Sequence, residues 1–390
     1  MAEFKTCFHL QDKRIGDFYK PSIIIVLLAF LIPLSSCNTY EDPYAPVLEK
    51  FSETDVERIF LDQKDIVTVN PSDFTLIENP DSSAIEKGMK WATPSGDNLI
   101  GVSRDEQSIR AMDRNTGKIT LEVDFSGRGP GEYQTILQLS KTESGFLLMD
   151  GLSKFIRYDQ NLDLIDERSF SGVHLLRNFS YNEPHLAYSV MGNEDYLVTI
   201  KNLDEEQQNN TYFHKRIISL GKKPKSYNSS IVGISKNGNV GVLSQNMPIL
   251  FIYENVQEGD LSRPIKIIRF HDDDLDVLGE PTRFSESFGG NVITNPPPVE
   301  LETGGRTVGV TPLFQTMHFG DEYIIIRQVK GDQLLVLERD GDSFTHKGSY
   351  QFLTDDDELF SYSSVYLEDS MLYLGTRMKD NVLIADINDL

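Results

Sequence analysis

The chain has 390 residues, of which 37 are basic and 60 acidic, and its formal net charge is −23. So acidic a protein argues against nucleic acid and against the surface of an anionic membrane as binding partners. With only two cysteines there is no disulfide framework, and the fold must depend on a large apolar core.

The N-terminal segment predicts a lipoprotein signal. A basic stretch precedes the apolar run IIIVLLAFLIPL at 23–34, which is too short to cross a bilayer of about 30 Å. The run ends in LSSC, a pattern typical of a lipobox. We therefore expect residues 1–36 to be a signal peptide, Cys37 to carry the lipid anchor and residues 37–55 to begin with a polar spacer.

A repeat of apolar strands and polar turns fills the chain from residue 56 to residue 390. The copies with the clearest strands are 98–125, 145–170, 195–220, 239–270, 322–350 and 370–390. The spacing predicts an all-β fold, a six-bladed β-propeller of four-stranded antiparallel blades. A pair of β-sandwiches is the alternative, and the regular four-strand repeat disfavours it.

The sixth copy stops before its fourth strand, because the sequence ends there. An open blade would leave unpaired edge groups. The strand-like segment VERIFLDQKDIVTV at 56–69 is therefore predicted to supply the missing strand and to close the ring.

The turn SGRGPGEY at 126–133 joins the outer strand of the first blade to the inner strand of the second. Glycines permit positive φ and close backbone approach, so the topology alone accounts for the turn. A ligand role for Arg128, Glu132 and Tyr133 is the alternative, since such a loop brings side chains to the mouth of the channel.

A G-x-G-P-G-E-Y turn combined with a lipobox resembles the six-bladed β-propeller lipoproteins of Bacteroidales, which are related to TolB-like and NHL-type propellers. The matching residues are Gly127, Gly129, Pro130, Gly131, Glu132, Tyr133 and Cys37. The resemblance implies a propeller over about 50–390 and an envelope location, in the outer membrane, facing the periplasm or the surface. Glu41 and Asp42 resemble surface-export signals. The family has no assigned activity, so no catalytic residues carry over.

Motifs for known chemistry are absent. The sequence contains no G-x-S-x-G, no H-E-x-x-H and no sialidase-type turn. Lactonase-type propellers hold Ca²⁺ through channel carboxylates and amides, and Glu132, Asn178 and Asn291 are candidates for such a site. Otherwise no cofactor is expected. The acidic runs 271–274 and 355–357 are interpreted as solvated loops.

Basic residues recur where the second-to-third loops of the blades begin. They are Arg104, Lys201, Arg327 and Arg377, with Lys154 slightly further along its loop and Arg128 in the glycine turn. On one face they would favour an anionic ligand, whereas the alternative is that neighbours such as Asp105 and Asp380 neutralise them. The insertion 271–311 belongs to the same face and is expected to be weakly structured and to cover part of the channel mouth.

The sequence thus predicts a lipid-anchored envelope propeller that binds an anionic glycan, another envelope ligand or a protein partner. A metal-dependent, lactonase- or lyase-like enzyme with its site in the channel is the alternative. A scaffold in an outer-membrane complex is a third possibility, and co-purification with a transporter would favour it.

Overall fold

The computed structural model describes residues 42–61, 66–81, 88–151, 154–169, 176–190, 196–204, 210–215, 229–256, 261–276, 282–285, 290–294, 306–376 and 379–390. The expected signal peptide, the lipidation site Cys37, Glu41 and the predicted ligand residue Arg377 lie outside these ranges.

A short helix and three strands precede the blades. The helix α1 (Ala45–Leu48) continues into the 3₁₀ turn Glu49–Phe51. The strands β1 (Asp55–Phe60), β2 (Ile66–Val69) and β3 (Thr75–Glu78) follow, with the 3₁₀ turn Pro71–Asp73 between the last two.

Six antiparallel blades follow along the chain, as predicted. Blade one contains β4 (Lys90–Ser95), β5 (Asn98–Val102), β6 (Ile109–Asp113) and β7 (Ile119–Val123). Blade two contains β8 (Ile136–Lys141), β9 (Gly145–Asp150), β10 (Lys154–Asp159) and β11 (Leu164–Ser169). Blade three contains β12 (Leu176–Asn182), β13 (His185–Val190), β14 (Tyr196–Asn202) and β15 (Asn210–Lys215). Blade four contains β16 (Ser230–Ile234), β17 (Val240–Ser244), β18 (Ile249–Tyr253) and β19 (Lys266–His271).

The insertion after blade four contains the helix α2 (Asp273–Asp276) and a separate three-stranded sheet of β20 (Thr282–Ser285), β21 (Gly290–Thr294) and β22 (Arg306–Thr311). Blade five contains β23 (Phe314–Phe319), β24 (Tyr323–Gln328), the 3₁₀ turn Lys330–Asp332, β25 (Leu334–Asp340) and β26 (Ser343–Phe352). Blade six contains β27 (Ser364–Glu368), β28 (Met371–Gly375) and β29 (Asn381–Asp386). The insertion was expected to be weakly structured, and the three-stranded sheet of β20, β21 and β22 shows that this expectation is wrong. Its placement over the channel mouth stays a prediction.

The blades close into a ring because the first strand of each blade contacts the first strands of its two neighbours. Burial falls from the middle of a blade outwards. Every residue of β9 is buried, whereas β11 at the outer edge of the same blade is largely exposed. Packing on both faces explains why the middle strands have continuous apolar runs rather than alternating patterns.

The core is divided among the blade interfaces. Each of the six apolar clusters in the described chain joins two neighbouring blades, and the cluster between blades three and four also takes in Tyr44, Val47 and Leu48 from the N-terminal segment. The helix α1 is thus fixed to blades three and four by burial of apolar surface.

An N-terminal strand completes blade six, but the predicted donor 56–69 is wrong. The strand β3 pairs antiparallel with β29, with Thr75 opposite Ile384 and Glu78 opposite Asn381. The predicted segment instead forms β1 and β2, which add parallel fifth strands to blades four and five. An outer strand that runs antiparallel to the third strand is what a blade requires, and the four-residue β3 was too short to stand out in the sequence.

We call the face with the fourth-to-first connections and the second-to-third loops the upper face. It carries the glycine turn 126–133 and the 103–108 loop of blade one. The lower face carries the first-to-second and third-to-fourth loops. Strands alternate in direction, so both kinds of loop on one face come from all of the blades.

Candidate ligand-binding face

The glycine turn is held by hydrogen bonds within itself. The amide of Gly127 donates to the carbonyl of Tyr133 (2.9 Å), and the amide of Gly129 donates to Oε2 of Glu132 (2.7 Å). A Cβ atom on Gly127 would lie 1.9 Å from the same carboxylate oxygen, so any other residue there would displace the Glu132 side chain and its hydrogen bond to Gly129. Gly131 has φ +72°, a left-handed conformation that glycine adopts without strain.

Tyr133 anchors the turn in the protein interior. Its side chain is 0% exposed, and its hydroxyl donates to the carbonyl of Gln107 (3.1 Å) in the neighbouring loop. Burial raises the pKa of Tyr133 to about 12. Tyr133 and the inward-turned carboxylate of Glu132, two of the predicted ligand residues, therefore make their hydrogen bonds within the loops.

Lys154 joins the turn to blade two. Its Nζ donates to the carbonyl of Glu132 and lies 3.1 Å from Oε2 of Glu167. The same carboxylate accepts the amide of Gly131 (2.8 Å), and the amide and the lysine together lower the pKa of Glu167. Tyr158 donates its hydroxyl to the carbonyl of Gly131 (2.6 Å), so the turn is braced against blade two.

Arg104 and Arg128 are both exposed on this braced structure. The 103–108 loop that carries Arg104 accepts the Ile136 amide at the carbonyl of Glu106 (2.9 Å) and the Tyr133 hydroxyl at Gln107. Arg128 donates through Nε (2.7 Å) to the Gln134 side chain when that amide is oriented with its oxygen towards the guanidinium. In the described part of the chain neither arginine has an ion-pair partner.

Two other predicted residues are buried instead. Arg327 donates to Gln315 and Asp332, and its guanidinium carbon lies 4.8 Å from the centre of the Tyr362 ring. Lys201 is 1% exposed, and burial together with the positive charge of Arg168 lowers its pKa to about 8. Its predicted position at the start of a second-to-third loop is also wrong, because it lies near the end of β14, the third strand of blade three, and so towards the lower face. Neither side chain is presented at the surface as the anionic-ligand hypothesis requires.

Buried ion pairs at the upper ends of the strands were missed by the sequence analysis. They are Lys90–Glu106, Arg110–Asp380 and Arg269–Asp276. Arg110 and Asp380 come from blades one and six and are far apart in the sequence, so no local pattern could have revealed them. Arg269 and Asp276 are close enough in sequence that the basic residue before the HDDD run was a usable signal.

Two of the three residues proposed for Ca²⁺, Glu132 and Asn178, already have hydrogen-bond partners. Asn178 accepts the Val232 amide (3.1 Å) and donates to the Ser230 carbonyl (2.8 Å), which joins β12 to β16. The Asn291 side chain lies outside the described part. Across the described ranges, His, Cys, Asp and Glu form no group of three that could hold a metal ion.

The two acidic runs differ. Asp355, Asp356 and Asp357 are exposed, as a solvated loop requires. His271 and Asp272 are buried, and His271 Nδ1 lies 3.2 Å from Oδ2 of Asp276, so the interpretation of that run as a solvated loop is corrected.

Comparison with solved structures places the chain among β-propellers. It is similar to a Bacteroides fragilis protein described as exported, with a TM-score of 0.51 and 9% identity, over 84% of this chain and 98% of that one. The Pan2 WD40 domain of Neurospora crassa gives a TM-score of 0.45 and 8% identity, over 81% and 96% of the two chains. No protein-family model and no curated protein matches the sequence. The protein is thus a six-bladed β-propeller, and at these identities the similarity concerns the fold alone.

None of the described helices is long and apolar enough to span a membrane.

Proposed function

We propose that the protein is a lipid-anchored binding protein of the cell envelope whose upper face takes an anionic ligand at blades one and two. The observation that carries the proposal is the pair of exposed arginines, Arg104 and Arg128, on two loops that hydrogen-bond to each other. Loops held in place before binding lose little conformational freedom when a ligand arrives.

The chemistry of the two side chains defines the ligand class. A guanidinium presents a planar set of donors that matches carboxylate or sulfate groups. The chain has a net charge of −23, so its overall electrostatic field repels anions. Arg104 and Arg128, which have no described ion-pair partner, make the field locally positive at this face. An acidic oligosaccharide of the envelope or of the diet carries carboxylate or sulfate groups and is attracted by the positive charge of the two arginines.

The anchor is proposed from the sequence. The apolar run that ends in LSSC and the polar residues after Cys37 support a lipidated N-terminus followed by a spacer. The Cys37→Ser variant is expected to leave the membrane fraction and to lose the mass of the acyl chains in intact-protein mass spectrometry.

The test is a thermal-shift comparison on the full-length protein in detergent. Trigalacturonate is expected to raise the melting temperature, because a ligand at a hundred times its Kd adds about 2.7 kcal/mol of stability, whereas neutral maltotriose leaves it unchanged. The shift should disappear in the double variant Arg104→Ser/Arg128→Ser and persist in Arg58→Ser/Arg263→Ser, which removes two arginines elsewhere.

Four results would count against the proposal. Equal shifts with the two sugars would mean that charge is not recognised. A trigalacturonate shift that persists in the Arg104→Ser/Arg128→Ser variant would place the site elsewhere. A rise in melting temperature with Ca²⁺ alone, reversed by EDTA, would favour the metal-dependent enzyme. An unchanged melting temperature with every probe would favour a protein partner.

A further inference from the structure

A cavity of about 190 Å³ opens on the lower face between blades four and five. It lies on the opposite face from Arg104 and Arg128, so a ligand bound in it would not touch the proposed upper-face site. Its lining comes from the loop after β16, from β18 and β19 of blade four, and from the ends of β23, β25 and β26 of blade five.

The floor of the cavity is fixed by a pair of glycines. Gly233 and Gly241 are opposite each other in β16 and β17, and Phe319 of blade five packs against their backbone. A Cβ atom added to Gly233 would lie 2.3 Å from the Cβ atom of Phe319, and one added to Gly241 would lie 2.5 Å from the Phe319 ring. Any other residue would push Phe319 out of place. With Ile252 and Phe344, which are 4% and 5% exposed, Phe319 gives the cavity a rigid apolar wall.

A buried hydroxyl also lines the cavity. Ser235 is 2% exposed, and its Oγ has no hydrogen-bond partner in the described part of the chain. Buried polar groups without a partner are uncommon in native proteins, and a ligand or a water molecule in the cavity would satisfy this one.

The charged groups at the rim leave a negative excess. Lys266 is balanced by Glu57, whose Oε2 lies 3.3 Å from Nζ. Of the remaining three charged residues, Arg339 is cationic, whereas Asp321 and Asp342 are anionic. The four lining charges alone sum to zero, and Lys266 also donates to the backbone carbonyl of Asp342. The excess of one negative charge comes from Glu57, which pairs with Lys266 beside the rim, and within the described ranges neither aspartate has an ion-pair partner.

We propose that this cavity binds a small amphipathic cation, an aromatic or branched aliphatic group that carries a protonated amine. The apolar wall takes the hydrocarbon body, since an apolar cavity of about 150 Å³ is large enough for benzene. The amine lies towards Asp321 and Asp342, and the Ser235 hydroxyl accepts a hydrogen bond from one of its N–H groups or from an O–H of a bridging water.

Three probes with the same phenyl group and different charge test the proposal. They are 2-phenylethylamine, 2-phenylethanol and 3-phenylpropanoate, and binding to the full-length protein is measured by ligand-observed NMR titration. The amine is expected to bind about tenfold more tightly than the alcohol, and the carboxylate more weakly than both. In the Asp321→Asn/Asp342→Asn variant the affinity for the amine should fall about tenfold, while the affinity for the alcohol stays the same.

A matched control separates the site from the general field of the protein. Asp355→Asn/Asp356→Asn also removes two carboxylates, both exposed and both in the 353–359 loop, and it should change the affinity for the amine less than twofold. Equal affinities for amine and alcohol, preferential binding of the carboxylate, or an equal effect of the two double variants would each overturn the proposal. So would the absence of binding by all three probes at millimolar concentration. Loss of trigalacturonate binding at the upper face would leave these results unaffected.

Discussion

The contact between Arg110 and Asp380 joins the first and last blades, and its removal is expected to destabilise the closed ring strongly. Nη1 of Arg110 lies 2.5 Å from Oδ1 of Asp380, and the two side chains are only 6% and 5% exposed. Arg110 also donates to the Gly88 carbonyl (3.3 Å), and Asn79, next to the closing strand β3, donates to Asp380 (3.4 Å). Removing one partner of a buried pair costs about 3–5 kcal/mol, and the lower end is expected here because Oε2 of Glu122 lies 3.8 Å from Nε of Arg110 and keeps part of the compensation.

Urea unfolding of Asp380→Asn, followed by tryptophan fluorescence and circular dichroism, measures this cost. A loss of about 3–5 kcal/mol is a large share of the 5–15 kcal/mol typical of a folded protein. Glu53→Gln is the matched control, since Glu53 and Arg263 form a pair that is 82% and 64% exposed, and no measurable change is expected there. If the two variants have the same unfolding midpoint, the buried pair does not stabilise the ring, and the reasoning is wrong.

Two further predictions concern the glycine turn and a buried histidine. Gly127→Ala should lower the melting temperature because the new methyl group collides with the Glu132 carboxylate, and the loss should be smaller in a Glu132→Ala background. Gly151→Ala is the control, since its Cβ atom would lie 3.6 Å from the nearest side chain, that of Thr135. Equal losses in the two backgrounds would contradict the collision. Burial lowers the pKa of His214 to about 3, and its Nδ1 lies 2.7 Å from the Tyr253 hydroxyl. The folded state therefore keeps His214 neutral, whereas the unfolded state binds a proton below about pH 6.5. The free energy of unfolding is thus lost as the pH falls below about 6.5, by about 1.4 kcal/mol per pH unit. His214→Phe should therefore lose less stability than the wild type between pH 7 and pH 5 in urea titrations, and identical pH profiles would refute this.

The sequence was sufficient for the blades because the repeat is local. Runs such as GFLLMD at 145–150 and VGVLS at 240–244 are strands in the structure, and the turns between them have their own residue preferences. Closure of the ring depends on a pairing between distant segments. Three short N-terminal strands compete for that role in the sequence, and only the ladder shows that β3, rather than β1 or β2, completes blade six.

The candidate site was predictable only in outline. The glycine turn was located correctly, and its topological explanation agrees with the hydrogen bonds that Glu132 and Tyr133 make inside the loops. Which basic residues reach the surface could not be read from the loop pattern. Arg327 is paired with Asp332, five residues away in sequence, yet Arg104 next to Asp105 is exposed, because burial depends on neighbours from other blades.

The position of the closing strand has a consequence for how the chain folds. The strand β29 pairs with β3, which is encoded before all six blades, so blade six is incomplete until β29 has been synthesised. The strands β1, β2 and β3 have no partner sheets until blades four, five and six, respectively, have been synthesised. Contacts between such distant residues form slowly and leave strand edges exposed in the meantime. A chain that stops before β29 would lose the closure of the ring rather than one strand.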